Sequence, residues 1–90
     1  MKISIIIPTL NEDKVIFALI SYLIGCLNGV NSEIIVVDAN SQDKTQQLSL
    51  EAGAKVISVS KMSRAFQMNE GAKIAQGEIL YFVHADSFFP

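Results

Sequence analysis

Asp38 ends an apolar run, Ile34 to Val37, and is followed at once by the polar series Ala39, Asn40, Ser41, Gln42, Asp43. A run of this kind, bounded on both sides by turn-formers, predicts a strand buried on both faces of a parallel sheet. Ligands of open parallel sheets bind outside the carboxyl ends of the strands. The Asp38 carboxylate is therefore placed for one of two tasks: accepting hydrogen bonds from a nucleobase imide or a ribose hydroxyl, or capping the next turn through an Asx hydrogen bond.

Arg64 carries a second kind of chemistry. It falls in the first turn of a predicted helix, where a cation opposes the macrodipole at a cost of about 0.3 kcal/mol or more. With Lys61 nearby and free N-terminal amides, the segment suits a phosphate or a base carbonyl; the plainer alternative is an Arg lying over the sheet edge. His84 and Asp86 sit two apart on a predicted extended segment, so their side chains leave in the same direction. One carboxylate with a weak neighbour holds Mg²⁺ or Mn²⁺ only when diphosphate oxygens complete the octahedron. For His84, a neutral hydrogen-bonding group that orients the loop is an equal reading.

These residues need a frame, and the hydrophobic pattern supplies one. Ile3 to Ile7 predicts a first strand stopped by Pro8, with Asn11 as N-cap of a helix carrying Ile16, Leu19, Ile20, Leu23, Ile24 and Leu27 on one face. Asn28 and Gly29 end it. After the strand that closes on Asp38, Ser41 or Asp43 caps a second helix to about Ala52, with Gly53 as a left-handed stop. Lys55 to Val59 is a third strand, and Ser63 caps a third helix to about Gln76. Glu78 to Val83 is a fourth strand that delivers His84, Ala85 and Asp86.

Inside the third helix, Met68 is assigned to the core, and Gly71 implies close approach by another backbone at about 1 kcal/mol against Ala. Gln67 and Asn69, two apart, cannot share a helix face. The order βαβαβαβ predicts a three-layer αβα, Rossmann-like parallel sheet. It brings Pro8 to Glu12, Asp38 to Asp43 and His84 to Asp86 to one rim.

Composition narrows the classes further. The chain has 90 residues, half of them hydrophobic, a formal net charge of −2 and one Cys. That is one small domain, unusually apolar for its size. The balance excludes the basic footprint of a nucleic-acid binder. No run approaches the roughly 20 residues of a transmembrane helix. The single Cys26 excludes an internal disulfide framework, makes a reducing cytoplasm the expected compartment, and is itself expected to be a small buried hydrophobe. Walker, G-x-G-x-x-G, zinc-ligand and G-x-S-x-G patterns are absent, so nucleophilic catalysis has no support and a dinucleotide-type Rossmann binder is disfavoured.

The segments Ser4-Ile-Ile-Ile-Pro-Thr-Leu-Asn-Glu12, Glu33-Ile-Ile-Val-Val-Asp-Ala-Asn-Ser-Gln-Asp-Lys-Thr45 and His84-Ala-Asp86 resemble, in order, the opening half of family 2 glycosyltransferases. Ser63-Arg-Ala-Phe-Gln-Met-Asn-Glu-Gly-Ala72 resembles their selenodomain-associated branch. The resemblance implies the first half of a GT-A fold, with strand order 3-2-1-4, that binds a nucleoside diphosphate sugar with Mn²⁺ or Mg²⁺ for inverting transfer to an acceptor. It assigns Pro8 and Glu12 to the nucleoside pocket, Asp38 to base or ribose, Arg64 to the base or diphosphate side, and His84, Ala85 and the metal ligand Asp86 to a D-x-D-like motif whose first Asp is replaced by His.

Family members continue well past that motif, and no base for an acceptor hydroxyl is identifiable up to Pro90. The expectation is one truncated nucleotide-sugar-binding domain over residues 1–90, with a catalytically inactive nucleotide-binding or structural module as the alternative. The apolar edge at Glu78 to Val83 and the Phe88, Phe89 pair predict a homo-oligomer.

Overall fold

A computed structural model describes residues 1–85. Seven elements follow in order: β1 (Ile3–Thr9), α1 (Ile16–Cys26), β2 (Ser32–Asp38), α2 (Thr45–Glu51), β3 (Lys55–Ser58), α3 (Arg64–Ile74) and β4 (Ile79–Phe82). All strand pairs are parallel and the sheet order is β3-β2-β1-β4, as the sequence predicts. The register aligns Thr9 with Asp38. The ends of the two central strands are therefore level.

Alternation along the central strands divides the core in two. Ile5, Ile7, Ile34 and Val36 pack with Ile16, Leu19 and Ile20 of α1 and with Leu48 of α2, whereas Ile6, Ile35 and Val37 face Ala72 and Ala75 beside α3. The second face is thinner because α3 lies very close to the sheet. A Cβ on Gly71 would stand 2.6 Å from Ile6 Cγ2 and 2.9 Å from Val37 Cγ2, so the close approach expected there is made by sheet side chains rather than by backbone. The backbone approach occurs at Gly77, whose Cβ would meet Ser4 N at 2.7 Å and Lys2 O at 2.8 Å.

Several boundaries differ from expectation, each for a tertiary reason. Pro8 does not stop β1, which runs on to Thr9. Ile6 O accepts from Val83 N, and alternate residues turn their peptide groups to the same neighbour. The donor that Pro8 lacks thus falls on the β4 side, beyond the last pair with that strand, Ile6 with Phe82. Asn11 does not cap α1, which starts at Ile16 after Val15 without a side-chain cap. It adopts a left-handed φ of 54°, and its side chain is used between loops. Ser41 does not cap α2 either, whereas Asp43 Oδ1 accepts from Thr45 N at 2.9 Å.

Ser63 caps α3 as predicted, its Oγ accepting from Phe66 N at 3.3 Å, and Gly53 has the left-handed φ of 105°. Cys26 is exposed, not buried, because α1 presents its buried face through Ile16, Leu19 and Ile20. Met68 is half-buried and lies outside both core clusters. Every residue of β4 is exposed, which leaves an apolar edge of Ile79, Leu80, Tyr81 and Phe82. No helix among the described residues is long and apolar enough to cross a membrane.

Candidate functional site

At the carboxyl ends of the strands, the loops after β1 and β2 are laced together by polar side chains. Asn11 N donates to Ser41 Oγ at 2.8 Å, Gln42 N donates back to Asn11 Oδ1 at 3.1 Å, and Glu12 N donates to Thr45 Oγ1 at 2.8 Å. Thr45 Oγ1 in turn donates to Asp43 Oδ1. Burial raises the Asp43 pKa, but hydrogen bonds from Thr45 and Asp13 outweigh it and the carboxyl titrates below its ordinary value. Asp43 therefore remains a charged anchor at neutral pH.

Asp38 is the centre of this lacing. It is fully buried. Oδ1 accepts from Thr9 Oγ1 and Ser41 Oγ, both at 2.6 Å, and Oδ2 accepts from Ser41 N at 2.7 Å and Gln46 Nε2 at 2.8 Å. All four donors are uncharged. Asp38 thus ties three elements together, and it is not among the residues that line the neighbouring cavity.

That cavity, about 360 Å³, opens between the end of β1 and the start of α3. Pro8, Glu12, Arg64 and Ala85, all singled out in the sequence, line it. Arg64 is exposed at its mouth and Ala85 is 2% exposed. Leu10, Pro8 and Met62 give it apolar wall, while Glu12 and Arg64 give it opposite charges. Lys61 does not join them; its Nζ lies 5.6 Å from the Phe66 ring centroid, a cation–π distance. His84 follows β4 at this rim but is not part of the lining. Asp86, expected as the metal ligand, lies outside the described residues, as do Phe88 and Phe89. Among the described residues no group of three or more His, Cys, Asp or Glu could hold a metal ion. Those residues alone do not make a cation cage.

Met62 and Gln67 also line the cavity without having been assigned to the site from the sequence, and Gln67 is the one built into the strands. It is 3% exposed, and Nε2 donates to Thr9 O at 3.0 Å and Val37 O at 2.8 Å, bridging β1 and β2 from below. Its signal was spacing: Arg64, Gln67 and Gly71, three and four apart, share one face of α3.

A parallel sheet wrapped by helices on both faces, with a cavity at the strand ends beside a topological switch, is an α/β domain of the GT-A glycosyltransferase kind. The pattern of glycosyl transferase family 2 matches residues 4–90, and the chain belongs to that family. It is 38% identical over 95 residues to a dolichol-phosphate mannosyltransferase of Pyrococcus furiosus, a match covering all of this chain and 27% of the relative. The crystal structure of glucosyl-3-phosphoglycerate synthase from Mycobacterium tuberculosis with phosphoglyceric acid superposes with a TM-score of 0.84 at 26% identity, over 94% of this chain and 33% of that one. The same enzyme in complex with Mn²⁺, UDP and glucosyl-3-phosphoglycerate gives 0.83 at 25% identity, over 93% and 33%. The chain thus spans about a third of the length of these proteins.

Proposed function

We propose that this chain is the nucleotide-sugar-binding portion of an inverting, metal-dependent glycosyltransferase that uses a nucleoside diphosphate sugar, with UDP as the nucleotide to test first. The observation that carries this is the cavity at the β1 end, which gathers Pro8 and Glu12, Arg64, and Ala85 from three separate segments. A fixed apolar wall at Pro8 and Leu10 suits a flat base. The Arg64 guanidinium at the mouth suits a diphosphate, which it can meet with two parallel hydrogen bonds. The complex of the mycobacterial synthase with UDP and Mn²⁺ supports the same ligand class here.

A divalent cation in this reading would be held by Asp86 with diphosphate oxygens, the described residues supplying no cage of their own. It would offset the charge that develops on the leaving diphosphate as the acceptor hydroxyl attacks the sugar carbon. The names of the relatives favour a transferase over a catalytically inactive module. Calorimetric titration with UDP and Mn²⁺ tests the reading: binding tighter than millimolar is expected, and none at that level removes the nucleotide function from this polypeptide.

A further inference from the structure

The two edges of the sheet are built differently. β3 opens on Lys55, whose ammonium reaches Glu33 Oε1 at 2.8 Å, and closes on Ser58, whose Oγ accepts from Gln46 Nε2 at 3.3 Å; Val56 and Ile57 between them are half-buried. A lysine on a short strand is a common way of keeping an edge from pairing. β4 has no such guard. Ile79 to Val83 is an unbroken apolar run without charge or proline, the pattern of a strand covered on both faces, yet Ile79, Leu80, Tyr81 and Phe82 are 38%, 37%, 57% and 45% exposed. Ile79 and Tyr81 align with Ile3 and Ile5 and face the α1 side, while Leu80 and Phe82 align with Ser4 and Ile6 and face the α3 side. Among the described residues, both faces of β4 and its outer edge are therefore uncovered.

The backbone fixes which groups stand on that edge. Ile79 N and Val83 N donate to Lys2 O and Ile6 O, so the odd-numbered residues of β4 turn their peptide groups towards β1 and those of Leu80 and Phe82 point outward. A strand added antiparallel pairs through such outward residues, which exchange N–H···O bonds in closely spaced pairs. When the added strand is β4 of a second copy, one register pairs them with each other: Leu80 stands opposite Phe82 of the other copy, and Phe82 opposite its Leu80. The two-fold axis then passes between the two Tyr81 residues, which meet as a cross-strand aromatic pair. Pairing β4 with the β3 edge of another copy would set Lys55 against apolar surface and, being head-to-tail, gives rings or open filaments rather than a closed pair. Two-fold pairing closes, and it leaves only the guarded β3 edges outside.

We propose that this chain forms a two-fold dimer through antiparallel pairing of β4 with β4 of a second copy, which joins the two sheets into one. This gives a geometry to the association expected from the apolar edge, and it does not depend on the nucleotide reading.

Light scattering on the full chain at about 100 μM, where weak association registers, is expected to give twice the monomer mass; a monomer overturns the proposal. Leu80→Pro then separates this edge from other surfaces. The N–H it removes lies on the outer side, where an edge strand tolerates proline, so the fold, checked by circular dichroism, is expected to stand and the mass to halve. A folded Leu80→Pro that stays dimeric overturns the proposal. If that variant unfolds, crosslinking decides. Across the axis the two Tyr81 Cα atoms lie about 4.5 Å apart, within disulfide reach, so Tyr81→Cys in a Cys26→Ser background should become a covalent dimer under air oxidation. No crosslink at that position, or one formed in its place by Cys26 of the wild-type chain, puts the contact on another surface and overturns the proposal.

Discussion

The two ends of β2 each bury a carboxylate, and they use it differently. At the amino end, Glu33 has a side chain 4% exposed; it accepts from Ser4 Oγ at 2.6 Å, Gln76 N at 2.6 Å and the Lys55 ammonium at 2.8 Å. Burial raises its pKa, but the hydrogen bonds from Lys55, Ser4 and Gln76, with the Lys55 charge, bring it down to about 2. At the carboxyl end, Asp38 is satisfied by neutral donors alone. Gly77 N, donating to Ser4 Oγ at 2.9 Å, draws the last turn of α3 and the start of β4 into the Glu33 end. That end is held by a cation and close backbone contact, and the hollow beside it, about 310 Å³, is lined by Asn28, Gly29, Ser32 and Glu33 with apolar neighbours. The other end is held only by loops, and the cavity beside it carries the Glu12 and Arg64 side chains. The difference is between a carboxylate tied by a cation and one tied by neutral donors alone.

Substituting the matching amide at each end separates them most sharply. In Glu33→Gln, one oxygen position must become an NH₂ facing either the Lys55 ammonium or the Ser4 and Gln76 donors. A loss of about 2 kcal/mol in urea unfolding is expected. The pH dependence carries the same sign. The folded-state pKa of Glu33 is depressed, so its contribution is complete above the ordinary value of 4.5 and is lost as pH falls towards about 2. Wild type should lose on the order of 2 kcal/mol across that window, part of the full shift being discounted because the Lys55 side chain is 56% exposed. Glu33→Gln should not show that component.

Asp38→Asn should be milder, about 1 kcal/mol by the same measurement, because Thr9 and Ser41 present hydroxyls that can reverse and accept from the new NH₂. A loss at Asp38 equal to that at Glu33 would erase the distinction between the rims. Arg64→Ala is expected to have the smallest effect on folding, within about 0.5 kcal/mol, since Arg64 is exposed and opposes the α3 dipole. Its effect should fall on UDP affinity instead, roughly ten-fold, or about 1.4 kcal/mol. An unchanged affinity would take Arg64 out of the site.

The rim with the cavity was also the part least legible in the sequence. Apolar runs and their turn residues were enough to place β1 to β4, their parallel direction and the caps at Ser63 and Gly53, because those depend on local pattern and on connection rules; the strand order itself came from the family resemblance. The loop after β1 was misread. Asn11 and Glu12 look like a helix start, and only the presence of Ser41, Gln42 and Thr45 across the gap turns them into a seam. Asp38 was rightly marked as special, but whether a carboxylate at a strand end reads a ligand or ties loops depends on donors up to 29 residues away in sequence. Gln67 was passed over for the same reason: an amide in a helix is unremarkable until two strand-end carbonyls are placed beneath it.

The central claim, that the carboxyl rim beside β1 is a nucleotide site and the Glu33 rim is purely structural, is tested most directly by following the UDP and Mn²⁺ titration through backbone amide resonances. Shifts concentrated at residues 9–12, 62–67 and 85, with Ser4, Glu33 and Gly77 unmoved, are the result expected. Shifts centred on Glu33 and Gly77, or none at millimolar UDP, would contradict it.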